Sequence, residues 1–143
     1  MSPFRKLAFV YNSEKPGAAE LAHELLEIAR QGGAKKLKLS GDRRLPRSFF
    51  KDCDACCVIG GDGTLLGAVR GAAEADIPII GVNHGSLGFL TTFSADEARA
   101  QFAALLEGDY RIARRALLDC KTGPRRSDVA LNDVLVKDAK PSR

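Results

Sequence analysis

The sequence predicts an α/β protein, with a parallel sheet flanked by helices and then a segment of different character. Three observations predict it. Short apolar runs bounded by turn residues recur along most of the chain, and stretches with helical apolar spacing follow several of them. Two of the runs break directly into glycine-rich loops, at Gly60 and after Val82. Past Gly108 the helical spacing stops and only strand-like runs remain. Alternating strands and helices form a parallel sheet with right-handed connections.

The first run, Leu7 to Tyr11, ends in the turn-forming residues Asn12 and Ser13 and reads as a buried strand. Pro16 suits the first turn of the helix that follows, with Leu21, Leu25, Ile28 and Ala29 on one face and Gly32-Gly33 as its stop. Lys36 to Leu39 is a weaker strand, and the stretch from Ser40 to Arg47 is polar and basic. Ala55 to Ile59 is a buried strand that stops at Gly60-Gly61-Asp62-Gly63. Helical spacing resumes from Thr64 to Ala75 through Leu65, Leu66, Val69 and Ala73. Ile77 to Val82 is strand-like, with Pro78 tolerable near its start. Ser94 and Glu97 form a capping box opening a helix that carries Ala98, Phe102, Leu105 and Leu106 on one face. Tyr110 to Lys121 and Val129 to Lys137 read as two strands around a turn rich in Gly, Pro and Arg. The expected organisation is a Rossmann-like α/β domain over residues 1–108 and a β segment over 109–143. Two strands are marginal as a domain, so the last third is expected to pair with further structure, and the chain to associate as a homo-oligomer.

Of 143 residues, 45% are hydrophobic and 28% charged, which excludes wholesale disorder. No apolar run approaches the ~20 residues that span a bilayer, and no secretory signal is visible at the start, so a cytoplasmic protein is expected. Four cysteines are then expected to be reduced. Cys53-Asp54-Ala55-Cys56 has a spacing known from metal and redox sites, but it lacks a second pair. The plainer reading is small apolar side chains entering a buried strand. A net charge of +4 suits anionic partners. The Arg clusters at 43–47, 114–115 and 125–126 lack interleaved aromatics, which argues against nucleic acid as the partner.

The sharpest feature is Gly60-Gly61-Asp62-Gly63-Thr64 between a strand and a helix. Glycines there permit unusual dihedrals and close approach of a ligand, and helix-opening amides suit phosphate. Asp62 would repel phosphate unless a metal, a proton-acceptor role or distance offsets its charge. Neither a G-x-x-x-x-G-K-S/T loop nor a complete G-x-G-x-x-G is present, since Leu66 stands where the third glycine belongs. The second feature, Asn83 to Thr91, also follows a strand and would share a crevice with the first. Asn83 offers donor and acceptor groups and Phe89 a flat face for a base, against a plainer role in core packing. His84 reads as a loop histidine in solvent rather than a general base. The third feature, Asn132-Asp133, interrupts an apolar strand and places its two polar side chains on opposite faces.

Together these features resemble the NAD kinase family. Gly60 to Thr64 is similar to its GGDGT motif, Asn83 to Thr91 to its N-x-G-x-x-G-F-L-T motif, and Asn132-Asp133 to its Asn-Glu or Asn-Asp pair. The first motif also resembles loops of diacylglycerol and sphingosine kinases and of phosphofructokinases, and the second makes the match specific. The resemblance implies phosphorylation of the 2′-hydroxyl of the adenosine ribose of NAD by ATP or polyphosphate, giving NADP. By the same resemblance Asp62 is the catalytic proton acceptor or organiser, Gly60, Gly61, Gly63 and Thr64 serve the phosphates, and Asp62, Gly63, Asn83, Phe89, Asn132 and Asp133 contact NAD. Magnesium is implied on the phosphates, with no protein ligand named. Family members are roughly twice as long, with a mostly β second domain that begins at the Asn-Asp pair. The chain ends before a Thr-Pro-Thr-Gly-Ser-Thr-Ala-like segment, so an incomplete second domain is expected. The alternatives are an inactive nucleotide-binding fragment or regulatory module, and a lipid kinase domain of the diacylglycerol or sphingosine type.

Overall fold

The computed structural model describes residues 1–86, 88–131 and 134. The chain divides into two compact units, Met1–Ile112 and Ala113–Arg143.

The first unit is built on a five-stranded parallel sheet. Its strands are β1 (Lys6–Tyr11), β2 (Lys36–Ser40), β3 (Ala55–Gly60), β4 (Ile79–Asn83) and the two-residue β5 (Phe93–Ser94), in the spatial order β2-β1-β3-β4-β5. The helices are α1 (Ala18–Gln31), α2 (Asp62–Glu74) and α3 (Ala95–Leu106). The expected strands and helices are present within a residue or two. β3 is buried along its whole length, as its unbroken apolar run requires of a central parallel strand.

Period-two alternation divides the buried strand residues between two layers. Leu7, Phe9, Cys57, Ile59, Ile80 and Val82 join one core with Leu21, Leu25, Phe102 and Leu106 of α1 and α3. Ala8, Val10, Cys56 and Val58 alternate with them and are also buried, and α2 packs on β3. Cys56 and Cys57 are small apolar core residues, their thiols pushed up chiefly by desolvation, and Cys53 is buried just ahead of β3. The capping box of α3 forms as expected: Ser94 Oγ accepts from Glu97 N–H at 3.2 Å, and Glu97 Oε2 accepts from Ser94 N–H at 2.8 Å.

Three features depart from the sequence reading. A 3-10 turn over Arg47–Phe50 follows on from the stretch read as polar, which ends at Arg47, and it places Phe50 in the core, against Gly71 of α2. α2 ends without a glycine: Asp76 adopts a left-handed conformation (φ 53°), and Ile77 N–H donates to Ala72 O at 3.0 Å. The strand expected to start at Tyr110 starts at Leu118. Tyr110 instead stacks on Phe4 with ring centroids 4.4 Å apart, and its hydroxyl donates to Ser2 O at 2.8 Å.

The second unit contains an antiparallel pair, β6 (Leu118–Lys121) and β7 (Ser127–Ala130), with Leu118 opposite Ala130 and Lys121 opposite Ser127. The turn between them closes with Thr122 N–H donating to Arg126 O at 2.9 Å, and Gly123 takes a φ of 76° that favours glycine. Among the described residues no helix is long and apolar enough to cross a membrane.

Candidate functional site

Because the sheet is parallel, β1, β3 and β4 end on one edge. The chain runs from β1 outward to β2, then returns to place β3 on the other side of β1. Connections leave such a point in opposite directions, and the crevice between them is where open α/β sheets bind ligands. Backbone bonds tie the loops on this edge together. Asn12 N–H donates to Ile59 O at 2.9 Å, and His84 N–H to Gly60 O at 2.8 Å.

Only Gly61 separates β3 from α2, and it caps the helix without a side-chain bond, so the first amides of α2 open at the end of β3. The glycines here do not serve unusual dihedrals, which corrects the sequence reading, and only Gly60 among them is needed for space. None of Gly60, Gly61 and Gly63 has a positive φ. A Cβ on Gly60 would sit 2.6 Å from Thr64 Oγ1 and 3.2 Å from Asn12 Cβ. One on Gly61 would sit 3.1 Å from Lys15 Nζ, and Gly63 has nothing within 4 Å, which leaves that face of the turn open.

Asp62 joins this turn to the loop after β4. Its Oδ2 accepts from Phe89 N–H and its Oδ1 from Leu90 N–H, each at 2.9 Å. The two amides, Phe89's first, hold the Asp62 carboxyl below the usual carboxylate range; slight desolvation opposes them and the Thr91 amide adds to them. Gly88 completes the contact, since a Cβ there would overlap the Asp62 carboxylate. The backbone of Phe89 is thus fixed while its ring stands fully exposed at 101%. A core-packing role for Phe89 is excluded.

Asn83, in register with Gly60, is only 6% exposed. Its Nδ2 donates to Ser86 O, and among the described residues its buried Oδ1 has no partner. The buried hydroxyl of Thr91 likewise has none. His84 is not a free solvent histidine: its Nε2 lies 2.7 Å from Pro16 O, and the ring lies against Gly17, whose φ is 85°. A carbonyl can only accept, so Nε2 carries a proton. Gly60, Gly61, Asp62, Gly63, Thr64, Asn83 and Phe89 therefore share one edge of the sheet. Asn132 and Asp133 lie outside the described residues.

Two contributors escape the sequence reading, His84 as a tether and Lys15 from the loop after β1. Each depends on β1 lying beside β3, a pairing that no local pattern encodes.

Residues 41–110 match the family model of the ATP-NAD kinase N-terminal domain. The NAD kinase of Erwinia tasmaniensis is 36% identical over an alignment covering 96% of this chain and 52% of that protein. The chain belongs to the NAD kinase family. The NAD kinase of Pseudomonas putida is 42% identical over 95 residues, 64% of this chain and 32% of that one. At the level of fold, the crystal structure of yeast NADH kinase complexed with NADH superposes with a TM-score of 0.62 at 18% identity, covering 91% of this chain and 47% of that chain. The chain thus spans about half the length of the Erwinia relative, and these matches do not favour a lipid kinase domain.

Proposed function

We propose that this chain carries the phosphoryl-transfer site of an NAD kinase. The reaction moves a phosphoryl group from ATP, or polyphosphate, to the 2′-hydroxyl of the adenosine ribose of NAD. One observation carries the reading: a single ionised carboxylate, Asp62, joins an open phosphate-type turn to a loop that presents a fixed, solvent-facing aromatic ring. Residues 1–108 form the nucleotide-binding domain on this reading, and residues 109–143 begin a β-rich NAD-binding domain that includes Asn132 and Asp133.

The site residues divide the work. The amides opening α2, with Gly60, Gly61 and Gly63, receive phosphate, and Thr64 supports the turn. Phe89 stacks on the adenine. Asn83 shapes the same loop through the bond from its Nδ2 to Ser86 O. Asp62 accepts a hydrogen bond from the ribose 2′-hydroxyl and orients its oxygen towards the terminal phosphorus. A new oxygen–phosphorus bond forms, the bond from that phosphorus to the bridging oxygen breaks, and the donor leaves one phosphate shorter. The hydroxyl proton passes to Asp62 or through it to water. A carboxylate of lowered pKa is a weak base, which suffices because a loose phosphoryl-transfer transition state asks mainly for positioning and charge neutralisation.

Among the described residues no three His, Cys, Asp or Glu side chains group as metal ligands, and both Asp62 oxygens already accept from amides. On this reading magnesium would be carried chiefly by the donor's phosphates, as it commonly is with one or two carboxylates at most. A cytoplasmic location and a homo-oligomer complete the reading. Incubation of the chain with NAD, ATP and magnesium is expected to yield NADP, resolved by chromatography. Absence of both NADP and NAD binding would overturn the reading.

A further inference from the structure

The proposed site has an electrostatic problem, because the ionised Asp62 stands beside the turn that would receive phosphate. The loop after β1 supplies an answer. Lys15 Nζ lies 3.1 Å from the position of a Cβ on Gly61 and 3.5 Å from that of a Cβ on Gly85. One ammonium therefore stands over both glycine loops, at the β1/β3 crevice where the strand order reverses. Among the described residues it has no hydrogen-bond or ion-pair partner. The neighbouring carboxylate of Glu14 lies 3.8 Å from Arg43 instead.

The position is built rather than incidental. Asn12 Oδ1 accepts from Glu14 N–H at 3.0 Å, Asn12 O accepts from Lys15 N–H at 3.1 Å, and Lys15 O accepts from Ala18 N–H at 3.2 Å. His84 fixes the next carbonyl along, that of Pro16. Beside Gly60 on the same edge, Asn83 is more than nine-tenths buried, and its Oδ1 is a second polar group with no partner among the described residues.

We propose that Lys15 binds the terminal phosphates of the phosphoryl donor and offsets the charge of Asp62 there. The proposal rests on the kinase reading and extends it by naming the cation that the donor meets. An ammonium on a flexible stem suits this place as a point charge that can follow a migrating phosphoryl group.

The test titrates wild type, Lys15→Met and Lys15→Arg with inorganic tripolyphosphate by calorimetry, with NAD titrated separately. Thermal melting checks that the variants fold. Lys15→Met is expected to weaken tripolyphosphate binding roughly tenfold or more, with Lys15→Arg recovering most of it and NAD affinity within about twofold of wild type. Unchanged tripolyphosphate affinity in Lys15→Met, or no binding by wild type at millimolar concentration, would overturn the proposal. Loss of tripolyphosphate binding in a chain that neither binds nor phosphorylates NAD would uphold Lys15 and sink the kinase reading. NADP formation with a tripolyphosphate affinity indifferent to Lys15→Met would do the reverse.

Discussion

Asp62→Asn is expected to lower NADP formation by roughly 10²–10⁴-fold, the usual contribution of a positioned acid–base group, while NAD affinity falls much less. The substitution keeps the shape and removes the charge. It also replaces one of the two oxygens that accept from Phe89 and Leu90 by an NH₂ group, which cannot accept, so one of those bonds must be lost. The effect on turnover therefore combines loss of the proton acceptor with loosening of the loop that carries Phe89. A pH signature separates the two. The folded pKa of Asp62 lies below its unfolded value, so its stabilisation of the loop is complete above the unfolded pKa. It is lost as pH falls through the folded pKa. Wild type should keep the Phe89 and Leu90 amides protected from exchange at neutral pH and release them only in acid, and Asp62→Asn should show no such acid transition. An Asn variant retaining more than a tenth of wild-type turnover would contradict the role.

Phe102→Ala is expected to cost about 3–5 kcal/mol, the range for truncating a buried aromatic. Phe102 is fully buried in α3, and its ring centroid lies 6.0 Å from that of Phe9 on β1. It connects the helix layer to the strand whose end carries the Lys15 loop. Domains of this kind hold only about 5–15 kcal/mol in total, so the variant should lose much of its cooperative urea transition. Phe102→Leu should retain most of the stability. A loss below about 1 kcal/mol for Phe102→Ala would show that the α1–α3 layer does not hold the sheet as described.

The parts of this fold that could be read from sequence are those that local chemistry decides. The apolar run from Ala55 to Ile59 can only be comfortable inside, and Ser94 with Glu97 closes a capping box within four residues. What could not be read depends on distant partners. The turn at Arg47–Phe50 exists because Phe50 finds space over Gly71, and β5 is two residues defined by pairing with Val82 and Asn83. The same division runs through the site. Gly60 to Thr64 and Asn83 to Thr91 are visible as unusual loops after strands. That Asp62 holds the backbone of Phe89 and Leu90, that Gly88 must be small for it, and that Lys15 joins them follow only from β1, β3 and β4 lying side by side. Glycine dihedrals were the misleading cue: the positive-φ glycines near the site are Gly17 and Gly85, where His84 and Lys15 come close, and not those of the GGDG turn.

On the proposed reading, loops after β1, β3 and β4 make one nucleotide site around Asp62. Amide-resolved NMR of the chain titrated with NAD and then with a non-hydrolysable ATP analogue tests it most directly. Shifts are expected to concentrate at residues 12–17, 60–64 and 83–91, with the analogue's strongest at Lys15 and Gly61. Shifts centred instead on the shallow groove of about 190 Å³ lined by Leu45, Pro46, Phe50 and Gly71, or none at saturating ligand, would contradict it.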